Sequence, residues 1–175
     1  MSVPDKYKFR INNQYQKTAD DTSEIDNDSY LEKEWENGYT NFKLNIRAHL
    51  KKEQKNKCAF CRCRVSIGTS YSNLEHLVPK KQYTQFTFKE DNLVYSCHLC
   101  NFSKTKKNTL ANPVPNTSQQ QFPDNSQGFN IVNPYYDDYE LYLDFLDDVT
   151  NISEENFLYN MGVSCMLKLY LWPLK

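Results

Sequence analysis

The chain has 175 residues and a mass of 20.7 kDa, a size that predicts one domain, alone or with attached segments. Its 39% hydrophobic and 14% aromatic residues exclude a fully disordered chain. The net charge of −1 by itself indicates no polyanionic partner, but residues 43–107 carry 14 Lys and Arg against four acidic residues, a net +10, and the rest carries −11. A basic middle between acidic ends is typical of a site that faces a polyanion, although a solvated helix face would give the same count.

The sequence shows no sign of membrane attachment or export. No apolar stretch approaches the roughly 18 residues that a membrane-spanning helix needs. The N-terminal residues lack the apolar core of a signal peptide, so we expect a cytoplasmic protein. In that compartment the six cysteines are expected to be metal ligands or free thiols rather than disulfides.

The first part of the chain predicts an arm followed by a helix. Residues 1–28 are polar and predict an extended or loosely packed arm. Residues 29–55 predict a helix that packs on the core, because their apolar residues recur every three or four positions. Ser29 and Glu32 fit a capping box at the start of this helix, and Gly38 interrupts it as a potential kink.

Two Cys-x2-Cys pairs frame the next segment, residues 56–107. They are Cys58, Cys61, Cys97 and Cys100. The spacer within each pair lets both sulfurs bind one tetrahedral zinc, and four thiolates leave no open position on the metal, which predicts a structural role. Two residues are less favoured as ligands: Cys63, which competes with Cys61, and His98. Cys165 is expected to be a buried free thiol.

Residues with acid–base and metal-binding chemistry lie between the two cysteine pairs. Two short strands are predicted here, around 72–78 and 93–96, and a short basic helix should run from about Cys100 to Lys107. Glu75 and His76 are adjacent on the first strand. Because adjacent strand residues point to opposite faces, they can share one site only if the strand bends or ends there.

After this segment the sequence becomes less regular. Residues 108–128 are rich in Pro, Asn, Gln and Ser and predict a linker or loop. Residues 129–175 predict a C-terminal segment with a helix at 162–171. We expect its apolar tail to be a buried helix rather than a docking surface.

The segment from Cys58 to Lys107 resembles the HNH, or ββα-metal, nuclease motif. The motif has an acidic residue and a His on one strand, an Asn at the second strand and an Asn in the following helix, which correspond here to Glu75, His76, Asn92 and Asn101. The resemblance implies an α+β fold with a small ββα-metal core and a four-cysteine zinc site, flanked by helical and irregular segments. It implies that Glu75 and Asn101 bind a catalytic Mg²⁺ or Mn²⁺. It also implies that His76 is the general base and that Asn92 orients the loop that holds His76.

These residue types suit the hydrolysis of phosphodiester bonds. A histidine can deprotonate water near neutral pH. A hard cation, which prefers oxygen ligands, can neutralise the charge that develops on the phosphate. The side chains placed to contact backbone phosphates are Lys80, Lys81, Lys104, Lys106 and Lys107.

A narrower resemblance covers several short runs of the chain. The runs are HLKKEQ from His49, CAFC from Cys58, EHLVPK from Glu75, NLVYSC from Asn92 and NPYYDD from Asn133. They are similar to the HNH proteins of Septu-type and retron-associated bacterial antiphage systems. This resemblance implies a nuclease effector acting on DNA, with RNA as the second candidate substrate, and a partner ATPase of the SMC/ABC type.

Two other interpretations stay open. One is a stand-alone HNH endonuclease of the restriction or mobile-element type, which would need a sequence-reading module that is not evident after residue 107. The other is a non-catalytic zinc-ribbon adaptor that binds nucleic acid or protein. In such an adaptor Glu75 and His76 would be dispensable.

Overall fold

The computed structural model describes residues 8–26, 35, 38–65, 72–104, 107–116 and 120–139. Within these ranges it has mixed α and β structure. The elements are helices α1 (Ala19–Asp26), α2 (Thr40–Glu53) and α3 (His98–Lys104), and strands β1 (Ser72–His76) and β2 (Leu93–Cys97). In the described part of the chain, no helix is long and apolar enough to cross a membrane.

The two strands and α3 form a continuous strand–strand–helix unit. The strands pair antiparallel, with Glu75 opposite Val94 and His76 opposite Leu93. Helix α3 begins directly after β2 and packs against both strands. Strand β1 ends at His76. Adjacent strand residues can share one site only where the strand bends or ends, and Glu75 and His76 stand at such an end.

Helix α2 is shorter at its N-terminus than the apolar pattern predicted. It begins at Thr40 rather than near Ser29. Tyr39 has a φ of 60°, a left-handed conformation that a right-handed helix cannot contain, so α2 begins after it. Two amides of the first turn donate hydrogen bonds to the carboxylate of Glu24 on α1, which caps the positive end of the helix. The proposed capping box at Ser29 lies outside the described residues.

The N-terminal segment is packed, so the predicted loose arm is wrong for residues 8–26. Phe9 and Ile11 are buried, and the amide of Ile11 donates to the carbonyl of Pro134 at 2.7 Å. Helix α1 opens with a reciprocal capping box between Thr18 and Asp21. Few apolar residues stand out in this polar segment, and two of their partners, Pro134 and Tyr139, lie more than a hundred residues downstream.

The core lies between α2 and the sheet. Phe42, Ile46 and Leu50 of α2 are fully buried, as their helical spacing predicted. The side chain of Gln54, just after α2, donates to the carbonyl of Tyr95 at 2.7 Å and accepts from its amide at 2.9 Å. A fully buried amide that satisfies both main-chain groups fixes the end of α2 against β2.

The chain after α3 packs back on this core. Leu110 forms an isolated bridge with Phe129, so part of the predicted linker is ordered against the core. The Tyr135 hydroxyl donates to the carbonyl of Leu93 at 2.7 Å. Residues 129–139 contain no α-helix, and both the helix predicted at 162–171 and Cys165 lie outside the described residues.

Candidate metal centre and active site

Four cysteine sulfurs converge between the start of the central segment and α3. The Sγ atoms of Cys58, Cys61, Cys97 and Cys100 all lie within 4.8 Å of one another. Tetrahedral zinc with Zn–S bonds of about 2.3 Å requires sulfur separations of about 3.8 Å. The Sγ atoms of Cys61 and Cys97 lie 3.9 Å apart. The grouping predicted from the spacing is confirmed, and a set of four thiolates fits zinc.

Main-chain amides point at these sulfurs. The amide of Phe60 donates to Cys58 Sγ at 3.4 Å, and the amide of Cys100 donates to Cys97 Sγ at 3.5 Å. Cys63 supplies its carbonyl, which accepts from the Cys58 amide at 2.9 Å, and it does not belong to the sulfur group. Both turns therefore fold so that amide dipoles stabilise sulfurs carrying negative charge.

Strand β1 directs Glu75 toward α3. Its Oε1 atom lies 2.9 Å from Nζ of Lys104, and the two side chains are 13% and 2% exposed. Burial raises the pKa of Glu75, and the ammonium groups of Lys104 and Lys80 oppose that rise. Lys104 therefore lies inside the site as the partner of Glu75, and not on the exposed phosphate-binding surface that the sequence predicted for it.

His76 is buried beside Glu75 and is held by one hydrogen bond. Its Nε2 atom lies 3.1 Å from the carbonyl oxygen of Thr87. Burial lowers the pKa of His76 from 6.5 to about 3, Lys80 lowers it further, and the bond to Thr87 opposes the change. The imidazole is therefore neutral at pH 7. Because a carbonyl can only accept, Nε2 carries the hydrogen and Nδ1 carries the lone pair.

Asn92 ties together the two ends of the loop that joins β1 to β2. Its fully buried amide nitrogen donates to the carbonyls of Val78 at 3.1 Å and Phe86 at 2.9 Å. Its oxygen accepts from the Val78 amide. Phe86 immediately precedes Thr87, so these bonds connect the chain just after His76 with the carbonyl that His76 contacts.

Asn101 and the remaining lysines lie around this centre. Asn101 is half-buried on α3, between Cys100 of the sulfur group and Lys104. Among the other predicted phosphate contacts, Lys80 is half-buried, Lys81 and Lys107 are exposed, and Lys106 lies outside the described residues.

Over 76 residues the chain is 34% identical to the Septu protein PtuB of Bacillus thuringiensis. The match covers 41% of this chain and 30% of that protein, so the chain spans less than a third of the curated relative it matches. No family model matches the chain. No solved structure matches it either. The partial similarity supports a link to the Septu type of defence system.

Trp35 is a site residue that the sequence pattern did not reveal. Its buried indole meets the His76 ring edge-on, with the ring centroids 4.6 Å apart. The ammonium groups of Lys43 and Lys80 lie 4.8 Å and 5.5 Å from the centroid of the indole. Its place in the apolar stripe predicted core packing, which is correct, but nothing in the stripe indicated that the packing partner is His76.

Arg62 is a second residue that the sequence reasoning passed over. It is 7% exposed, its guanidinium lies 3.4 Å from the Phe9 ring centroid, and it donates to the Cys58 carbonyl at 3.3 Å. Burial lowers the pKa of Arg62 to about 10, so it remains a cation at neutral pH. It places positive charge beside a group of four thiolates. A basic residue between Cys61 and Cys63 was the available signal.

Proposed function

We propose that this chain is a metal-dependent HNH endonuclease that hydrolyses phosphodiester bonds of DNA. The observation that carries the proposal is the placement of His76 at the end of β1, where its Nε2 donates to the carbonyl of Thr87 and its Nδ1 carries the lone pair. Glu75, the preceding residue of the same strand, pairs with Lys104.

In the proposed reaction His76 acts as general base. Its Nδ1 accepts a proton from water while the water oxygen bonds to phosphorus, the bond from phosphorus to the leaving oxygen breaks, and the leaving oxygen is protonated by solvent. The bond to Thr87 and the ties made by Asn92 hold the imidazole in one orientation. General bases of this kind contribute roughly 100- to 10,000-fold to rate.

The oxygen atoms of Glu75 and Asn101 would hold the divalent cation. When bound, such a cation neutralises charge on the phosphate and the leaving oxygen. The donor set fits a hard cation, and Glu75 Oε1 already contacts a positive group in this structure. The cation and the ammonium group of Lys104 would therefore compete for Oε1 of Glu75.

The substrate and partner follow from charge and from similarity. The +10 charge of residues 43–107 supports a polyanionic substrate, with DNA first and RNA second. The similarity to the Septu protein PtuB supports a role as the effector of a bacterial, cytoplasmic antiphage complex, in which the partner would be an SMC/ABC-type ATPase.

Plasmid nicking in Mg²⁺ or Mn²⁺, with EDTA as the blank, tests the proposal. We expect wild type to convert supercoiled DNA to nicked DNA only with a cation, and Asn101→Ala to need more cation for the same rate. Asn41→Ala, the same change at an exposed position of α2, should match wild type. If wild type cuts neither DNA nor RNA with any cation, alone or with a candidate ATPase partner, the proposal fails.

The second candidate, a non-catalytic zinc-ribbon adaptor, has one observation in its favour. Glu75 is paired with Lys104, and His76 is covered by Trp35, so both side chains have protein partners. An adaptor predicts that Glu75→Ala and His76→Ala bind DNA or protein as wild type does and that wild type cuts nothing.

A further inference from the structure

Helix α3 exposes an apolar, aromatic face. Three large hydrophobic side chains are exposed in the described part of the chain, and two of them lie on this short helix: Leu99 at 47% and Phe102 at 72%, compared with Leu44 of α2 at 58%. The ring of His98 stacks on that of Phe102, with centroids 6.4 Å apart and planes 29° apart. We call His98, Leu99 and Phe102 the α3 face.

This face borders the candidate active site. At about 100° per residue, Cys100 and Lys104 share the buried side of α3, whereas the α3 face lies on the opposite side. Asn101 lies at the boundary between the two sides and is half-buried. A substrate bound at Asn101 therefore lies next to the His98–Phe102 stack.

The face is also held in place. The helix starts directly after Cys97 and contains Cys100, so the four-cysteine group fixes the end of the helix that carries His98. Its packing on both strands and the Lys104–Glu75 ion pair fix the other end. The backbone beneath this aromatic platform is thus anchored at both ends.

The aromatic rings of the α3 face and the positive charge of its segment favour a flat ligand that carries negative charge. An exposed aromatic ring is covered well by another π surface. The exposed Lys107 lies close behind α3, where its amide donates to the carbonyl of Lys104 at 3.3 Å, and it belongs with the helix to the +10 segment. A nucleobase with its phosphate meets both requirements, since bases stack on aromatic side chains with little regard to sequence. In duplex DNA both faces of each base are already covered by neighbouring bases, so the platform requires an unstacked base.

We infer that the α3 face binds an unpaired nucleobase of the substrate beside the phosphodiester that is cut. The inference rests on the proposed function and narrows its substrate class to DNA that has unpaired nucleotides near the cut, such as single strands, gaps or flaps.

Binding of the zinc-loaded full chain to oligonucleotides containing 2-aminopurine tests this inference. In Ca²⁺, without cleavage, we expect wild type to prefer the single strand to its duplex and to quench 2-aminopurine fluorescence through stacking. Phe102→Ala should bind the single strand about tenfold more weakly and lose the quenching. Phe102→Tyr should retain both, and Leu44→Ala, the matched exposed apolar control, should equal wild type.

Two outcomes overturn the inference. One is equal affinity and quenching for Phe102→Ala and Leu44→Ala. The other is a Phe102→Ala variant that binds DNA normally but loses a protein partner, which would make the face a protein-docking surface. If wild type nicks plasmid but Phe102→Ala binds and quenches as Leu44→Ala does, the proposed function stands and this inference fails. If wild type binds single strands through Phe102 but cuts no nucleic acid, the proposed catalysis fails and base binding by the α3 face stands.

Discussion

At the scale of single residues, two buried ionisable side chains at the end of β1 have different kinds of partner. The carboxylate of Glu75 keeps a charge partner, the Lys104 ammonium at 2.9 Å. His76 has the carbonyl of Thr87 as its hydrogen-bond partner and stays neutral, with its pKa lowered to about 3 by burial. In the proposed reaction Glu75 would hold the cation and the neutral imidazole of His76 would accept the proton from water.

The lowered pKa of His76 predicts how stability depends on pH. The unfolded chain protonates this histidine near pH 6.5, whereas the folded chain does so only near pH 3. Unfolding therefore takes up a proton between these values, so the folded state loses stability as pH falls. Between pH 7 and pH 5 we expect the unfolding free energy of wild type to fall by about 2 kcal/mol more than that of His76→Gln.

Urea unfolding of both zinc-loaded proteins at the two pH values measures this difference. The other titrating groups, including the cysteines, are common to both proteins and cancel in the comparison. Equal losses in wild type and His76→Gln would show that the folded histidine titrates normally.

The Glu75–Lys104 pair predicts strong coupling between its members. Removing one partner leaves a buried charge uncompensated, so Lys104→Met and Glu75→Gln should each lower the unfolding free energy by about 3 kcal/mol. The double variant leaves no unpaired charge and should lose about 1–3 kcal/mol less than the sum of the single losses. Denaturant unfolding of all four proteins gives the coupling, and strictly additive losses would contradict an intact buried pair.

At the scale of elements, sequence pattern predicted the parts that depend on local chemistry. Cysteine spacing located the metal group, and α3 and the two strands lie close to their predicted positions. The start of α2 was not predictable from its own stripe, because the side chain that caps it, Glu24, comes from another helix. The packed N-terminal segment depends on contacts with residues near Pro134, which no local pattern contains.

The cysteine group predicts which substitutions release zinc. Cys58→Ser removes a ligand and should reduce zinc content and unfold the strand–strand–helix unit, because structural zinc contributes directly to folding. Cys63→Ser is the matched control: it changes a neighbouring cysteine outside the group and should retain one zinc per chain. Metal analysis and circular dichroism of both variants measure this. Zinc loss in a Cys63→Ser variant would contradict the assigned ligand set.

At the scale of the whole molecule, near-neutrality conceals a division of charge. The segment from 43 to 107 contains the strands, α3 and the cysteine group and carries +10, and the remainder carries −11. The sequence alone revealed this division and predicted Glu75 and His76 as site residues. It could not reveal that Trp35 covers the imidazole or that Lys104 turns inward, because both contacts join elements far apart in sequence.

The rate of plasmid nicking by His76→Ala tests the central claim most directly. The claim is that a neutral, oriented His76 serves as the base for phosphodiester hydrolysis. We predict that in Mg²⁺ or Mn²⁺ this variant nicks at least about 100-fold more slowly than wild type. His49→Ala, the same change at a histidine of α2 that contacts Asn13 instead, should retain the wild-type rate. Equal rates for a folded, zinc-loaded His76→Ala and wild type would contradict the account.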